Sequence, residues 1–169
     1  VATLGTASSQ FHLEKIFRHT SKLVVCFDGD EAGEKAALRL LETALPAMQD
    51  GREISFLFLP EGDDPDTFIR NKGKEAFIHL LHEAKPLENI LFDNEKKHIA
   101  IDSDAGKARF NNRLLEHIKS IPEGFFKQSQ LKKLATLTNT DIDLLRSRLN
   151  DISKNKPDYQ STGTTPQQS

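Results

Sequence analysis

Two short apolar runs, each broken off by an acidic loop, constrain this chain more than any other feature. Leu23-Val24-Val25-Cys26-Phe27 and Ile54-Ser55-Phe56-Leu57-Phe58-Leu59 lack the polar/apolar alternation of a half-buried antiparallel strand. Runs of this length and composition suit strands of a parallel sheet, buried on both faces under helices. Between them, residues 31 to 48 carry two adjoining helical rows. One row is Ala37, Leu41, Leu45 and Met48; the other is Ala36, Leu40, Ala44 and Ala47. Residues 9 to 19 read as a preceding helix, with Phe11, Leu13, Ile16 and Phe17 on one side and Ser8 or Ser9 as cap. The order helix, strand, helix, strand, with Asp50-Gly51 as a turn, predicts an α/β layer with a parallel sheet and flanking helices.

Beyond Pro60 the pattern changes, and no further strand is predicted. Asp64-Pro65 is a helix start, with Asp as cap and Pro in the first turn. Residues 74 to 84 and 86 to 97 read as short helices. From Asp102 onward three apolar stripes follow: Phe110, Leu114, Ile118 and Ile121; then Leu131, Leu134 and Ala135; then, after a Thr138-to-Thr140 cap region, Ile142, Leu145 and Leu149. Three such helices with short loops make a small all-α bundle. Residues 153 to 169 are rich in Ser, Thr, Gln and Pro, which predicts a flexible linker or tail. The expected division is residues 1–95, 96–152 and 153–169. The opening Val1-Ala2-Thr3-Leu4 reads as the end of a strand continued from upstream, as in a piece of a longer chain.

Composition narrows the function classes. With 23 Lys+Arg against 25 Asp+Glu the formal charge is -2, so bulk basic charge is not available for gripping nucleic acid. A single Cys excludes an internal disulfide and any multi-Cys zinc site in this chain. No run approaches the roughly 18 apolar residues that a membrane span needs.

The chemistry concentrates at the ends of the two apolar runs. Asp28-Gly29-Asp30 lies directly after the first strand and before a helix, where open α/β sheets bind their ligands. Two carboxylates flanking Gly29 suit a hard cation such as Mg²⁺, which takes one or two carboxylates, waters and phosphate oxygens. Asp30 as a plain helix cap is the alternative. The second loop, Leu59-Pro60-Glu61-Gly62-Asp63-Asp64-Pro65-Asp66, carries four carboxylates and no Lys or Arg. On adjacent parallel strands, about 4.8 Å apart, the two loops become neighbours. Gathered like charges are costly unless solvated or neutralised by cations; Asp64 as a helix cap in a solvated loop is again the alternative.

Spacing tests other metal chemistries. Counted from Asp28, the fifth and twelfth positions of a calcium EF-hand loop are Ala32 and Arg39, so that reading fails. A phosphatase with an Asp nucleophile needs a Lys between the two loops, and the only one present, Lys35, lies inside the predicted helix. No Gly-x-Gly-x-x-Gly follows either strand, which disfavours a dinucleotide site.

Taken in order, Leu4-Gly5-Thr6-Ala7, Cys26-Phe27-Asp28-Gly29-Asp30-Glu31-Ala32-Gly33, Ala36-Ala37, the Leu59-to-Asp66 loop and the stretch Arg70 to Phe77 resemble bacterial DnaG-type DNA primases. The resemblance covers most of residues 1 to 95; residues 96 to 150 are similar, more loosely, to the helical subdomain that ends the primase core. It implies a Toprim fold in which Asp28 and Asp30 bind Mg²⁺, with Mn²⁺ as substitute, and Asp64 and Asp66 join them. It further implies Mg-dependent nucleotidyl transfer that makes short RNA primers on single-stranded DNA from nucleoside triphosphates. The setting would be the bacterial cytoplasm at the replication fork, and the replicative helicase would be met through a C-terminal domain beyond this chain. The family's further Toprim Glu would precede Val1, so the isolated chain is expected to be inactive, with an apolar sheet edge at residues 1–4 or 23–27. Two alternatives stand: a non-catalytic remnant or helicase-interaction module, and another Toprim enzyme, a topoisomerase or nuclease.

The remaining candidates have plainer readings. Cys26 sits in a strand and reads as core. His79 and His82 share a helix near Glu83 but lack further ligands. Lys132-Lys133 and Arg146/Arg148 read as solvated helix faces, and the Leu134-to-Thr138 stretch as an ordinary αα-hairpin.

Overall fold

The computed structural model describes residues 10–60 and 62–154. Its elements follow in the order α1 (Gln10–Phe17), β1 (Lys22–Phe27), α2 (Glu31–Ala44), β2 (Glu53–Phe58), α3 (Pro65–Lys72), α4 (Lys74–His82), β3 (Lys85–Pro86), α5 (Leu87–His98), α6 (Asp104–Ile118), α7 (Phe125–Thr138) and α8 (Ile142–Lys154).

β1 and β2 pair in parallel, Lys22 opposite Glu53 through Phe27 opposite Phe58. The crossover between them is α2, whose buried residues Ala37, Leu40, Leu41 and Ala44 come from the two predicted rows, while Ala36 is only half-buried and Gly33 is buried as well. The helix stops short of Met48. Leu45–Ala47 is a 3₁₀ turn instead, because Pro46 lacks the N–H that another α-helical turn would require. The chain then tucks Leu45, Ala47 and Met48 into the core.

β1 is less buried than its composition predicts. Leu23 is 9% exposed but Val24 is 39% exposed, because β1 is the edge of the sheet among the described residues, ordered β1-β2-β3. β2 lies centrally, with Ile54 and Phe56 almost wholly buried. Its other neighbour is the antiparallel β3, where Ser55 faces Pro86 and Phe56 faces Lys85. This strand was not expected: two residues carry no periodicity, and Pro86 suits an edge position, where a missing N–H is harmless.

α5 runs back along β2 and links the sheet to the helical bundle. Leu87, Leu91 and Phe92 are buried in one continuous core with Phe56 on one side and Phe110 and Leu114 on the other. In the bundle, Phe110, Leu114, Ile118, Ile121, Leu131, Leu134, Leu145 and Leu149 are all buried, as the stripes predict. α7 ends at Asn139, which is left-handed at φ 51°. The cap of α8 is Asp141, whose carboxylate accepts from the Asp143 N–H at 2.7 Å, and not the Thr138-to-Thr140 segment. Thr138 and Thr140 instead share a hydrogen bond inside the hairpin.

One joint was invisible in the sequence. The residue before α7 is Gly124, which has no side chain to cap it. Asp50, read as part of a turn, reaches across and accepts from the backbone N–H groups of Phe125 at 2.9 Å and Phe126 at 2.7 Å. Asp50 lies just before β2, so the bundle is fastened at the amino end of that strand.

Residues 153 and 154, expected to begin the flexible tail, complete α8. The rest of that tail, the strand end at Val1-to-Leu4, Thr6 and the Ser8/Ser9 cap lie outside the described residues.

Candidate functional site

The site begins with the sheet register. Phe27 and Phe58 are paired in parallel, and the Leu59 N–H donates to the Phe27 carbonyl at 2.9 Å. The ladder therefore continues to the last residue before Asp28, and both acidic loops leave the same carboxyl end of the sheet side by side.

Asp28 is held by its backbone. α2 packs so closely on it that a Cβ placed on Gly33 would lie 2.0 Å from the Asp28 carbonyl oxygen. Only a residue without a side chain permits this approach. The Asp28 carboxylate is exposed and takes no hydrogen bond or ion pair among the described residues.

Asp30 performs the capping role: it is extended (φ -117°, ψ 176°) and one carboxylate oxygen accepts from the Gly33 N–H at 2.7 Å. The first turn of α2 adds Glu31 and Glu34, and Lys35 pairs with Glu31 at 2.6 Å.

In the second loop, Asp63 N–H closes a turn onto the Pro60 carbonyl and Gly62 takes φ +87°, a conformation costly for other residues. Asp64 caps α3 through the Thr67 N–H at 2.7 Å. That backbone donor, aided by the positive charge of Arg70, holds its carboxyl below the usual range. Asp66, in the first turn of the helix, pairs with Arg70. Phe68, 7% exposed, anchors α3 against the Phe77 ring of α4.

The four predicted carboxylates are thus displayed on neighbouring loops, each on a defined backbone, but not gathered: among the described residues no three His, Cys, Asp or Glu side chains converge on one point. Asp28 is uncommitted, while Asp30, Asp64 and Asp66 each have a partner. An all-oxygen, solvent-facing donor set of this kind suits a hard cation that retains most of its waters, and offers nothing to a soft metal.

The plainer readings also have their places. Cys26 is half-buried, and burial pushes its thiol pKa up. His79 is exposed and faces Glu83 at 3.7 Å. Arg146 pairs with Asp143 at 2.9 Å. Sequence reasoning missed a charged cluster around one buried acid in the bundle: Glu95, 4% exposed, faces His117 at 3.1 Å and the exposed Arg113 at 3.4 Å. The i, i+4 spacing of Arg113 and His117 was its only sequence signal.

Comparison with known proteins matches residues 1–69 to a Toprim-like family and residues 91–143 to the DnaB-helicase binding domain of primase. The chain is 41% identical to the DNA primase of Legionella pneumophila over 161 residues, covering 95% of this chain and 28% of that protein. It is 37% identical to that of Escherichia coli K12 over 169 residues, covering 98% of this chain and 29% of the relative. The chain therefore spans less than a third of the curated relatives it matches.

Among solved structures, a DNA primase domain from Pseudomonas aeruginosa superposes with a TM-score of 0.82 at 35% identity, covering 88% of this chain and 46% of that one. A DnaG primase catalytic domain bound to ssDNA superposes with a TM-score of 0.78 at 37% identity, covering 83% and 45%. Among the described residues no helix is long and apolar enough to cross a membrane.

Proposed function

Because the chain is homologous over most of its length to the bacterial DnaG-type DNA primases, we propose that it supplies the metal-binding loops and the helical subdomain of a primase core. The single observation that carries this reading is the parallel register ending at Phe27 and Phe58, which brings two acidic loops to one end of the sheet.

In this reading Asp28 and Asp30 hold Mg²⁺, and Asp64 and Asp66 complete its surroundings from the second loop. Bound there, the ion would supply charge neutralisation for a triphosphate and for in-line attack by a 3′-hydroxyl. The chain's own contribution is positional. Gly33 lets α2 fix the Asp28 backbone, the Asp30 cap fixes the second carboxylate, and the Asp64 cap orients the entry to α3.

The substrates, single-stranded DNA template and nucleoside triphosphates, belong to the longer primase, as does primer synthesis at the fork in the bacterial cytoplasm. The 169-residue chain alone is expected to bind the ion without making primers. We divide it into a Toprim part to about residue 95, a helical part to about 152, and a linker. α5 crosses the first division, so the two parts share one core.

Titration of the chain with Mn²⁺, followed by calorimetry, tests the metal assignment. Asp28→Asn with Asp30→Asn removes both charges yet keeps the α2 cap, since Asn caps as well as Asp. Binding weakened tenfold or more is expected; unchanged affinity with an intact fold would sink the assignment.

A second reading has its own support. The match of residues 91–143 to the helicase-binding domain of primase makes the bundle itself a contact for the replicative helicase, with or without the Toprim chemistry.

A further inference from the structure

On the outside of the bundle, α6 and α8 enclose an open groove of about 500 Å³ that neither reading uses. Its apolar floor includes Ile99 and Ile152, both half-buried, and its rim carries Arg109, Arg113 and Arg148. The lone acid on the rim, Glu116, is engaged by Lys119 at 2.6 Å. Arg109 and Arg148 make no ion pair or hydrogen bond among the described residues. Arg113 is different: its Nε faces the buried Glu95, which His117 also holds, so its terminal nitrogens are presented from a fixed stem. Three guanidinium groups, two without partners, thus surround an apolar trough in a chain whose formal charge is -2.

We propose that this groove docks an acidic, amphipathic segment of the replicative helicase, with an apolar side chain on Ile99 and Ile152 and carboxylates on Arg109, Arg113 and Arg148. The proposal rests on the helicase reading above and locates the contact. Charge complementarity identifies the occupant as acidic, and guanidinium forks match carboxylates in bidentate fashion. The aliphatic floor selects protein over single-stranded nucleic acid: no aromatic ring lines the groove, and base stacking is a main source of affinity for such strands. An apolar stripe set between charged rims is the usual pattern for a helix in a groove.

The test uses the full chain with the replicative helicase of the same bacterium, measured by biolayer interferometry at two salt concentrations. Arg109→Glu with Arg148→Glu changes two exposed, unpartnered side chains, and thermal melts verify that the fold persists. Lys132→Glu, on α7, is the control. The expected result is helicase binding weakened about tenfold or more by the double variant, with a shallower salt dependence and no effect of the control. If the helicase binds wild type and double variant alike, the groove assignment is wrong and the helicase reading stands. If it binds neither, that reading fails and the groove assignment falls with it. If the double variant loses affinity for an oligothymidylate strand while keeping the helicase, the groove is a nucleic-acid site and the proposal is overturned.

Discussion

Replacing Gly33 by Ala sets two effects of opposite sign against each other. Helix propensity favours Ala over Gly by at most about 1 kcal/mol, and less near a helix start. The structure opposes the change, because the added Cβ would sit 2.0 Å from the Asp28 carbonyl oxygen and 2.9 Å from its carbon. To reach even 3.0 Å, the shortest separation that real Cβ contacts show, α2 and the end of β1 must part by about 1 Å. The obstruction is backbone, so no rotamer relieves it. Overpacking of a rigid core typically costs about 1–3 kcal/mol, and lifting α2 also loosens Ala37, Leu40 and Leu41 beneath it. The clash should win, leaving a net loss of roughly 1–2 kcal/mol, or a melting point lower by about 2–8 °C for a domain of this size.

The same displacement moves Asp28, so Mn²⁺ affinity should fall along with stability. Gly106→Ala is the matched control: its Cβ would lie 2.1 Å from the Ala100 carbonyl oxygen, in the bundle and away from the acidic loops. It should lower the melting point comparably and leave Mn²⁺ binding alone. Urea denaturation and calorimetry read both quantities. A Gly33→Ala chain as stable as wild type, or one that binds Mn²⁺ normally, would refute the reasoning that close packing of α2 positions Asp28.

Two further outcomes follow from the shifted ionisations. The Asp50 carboxyl is held below its usual range by the N–H groups of Phe126 and Phe125, so its contribution to stability is present in full above the unfolded value and is lost as pH falls through the depressed one. The difference in melting point between wild type and Asp50→Ala should therefore hold from neutrality to about pH 4 and shrink below it; a difference that grows on acidification contradicts the clamp. Burial raises the Cys26 thiol pKa, so its thiolate is scarce at neutral pH, and iodoacetamide should alkylate it more slowly than it alkylates glutathione. Equal rates would mean an open, ordinary thiol.

Much of the fold was legible because its signals are local. The Leu23–Phe27 and Ile54–Leu59 runs, the rows of α2, the Asp64-Pro65 start and the Phe110-to-Ile121 stripe each declare themselves within one turn or one strand. What escaped depends on partners far along the chain. β3 is a strand because β2 offers Ser55 and Phe56 to it, not because Lys85-Pro86 favours one. The exposure of Val24 follows from the order of the sheet. Asp50 looks like a turn residue until α7 is laid against it, and Glu95 looks like the polar face of α5 until Arg113 and His117 close over it.

For the candidate site, the sequence supplied the residue types and their neighbourhood. The capping reading and the metal reading of Asp30 and Asp64 are compatible, because a cap occupies one carboxylate oxygen and leaves the other.

The Asp50 clamp also has a consequence for the order in which the chain is assembled. α7 follows a glycine and owns no side-chain cap; the acceptor for its first N–H groups is made 75 residues earlier. During synthesis, Asp50 emerges and must wait while β2, the acidic loop and the four helices α3 to α6 pass before its partner exists. Closing so long a loop carries a substantial entropic cost, so this contact forms late, after the helices between have begun to pack. Those two hydrogen bonds add to the core that α5 shares with sheet and bundle in setting the bundle's orientation, and they can form only once α7 has been made.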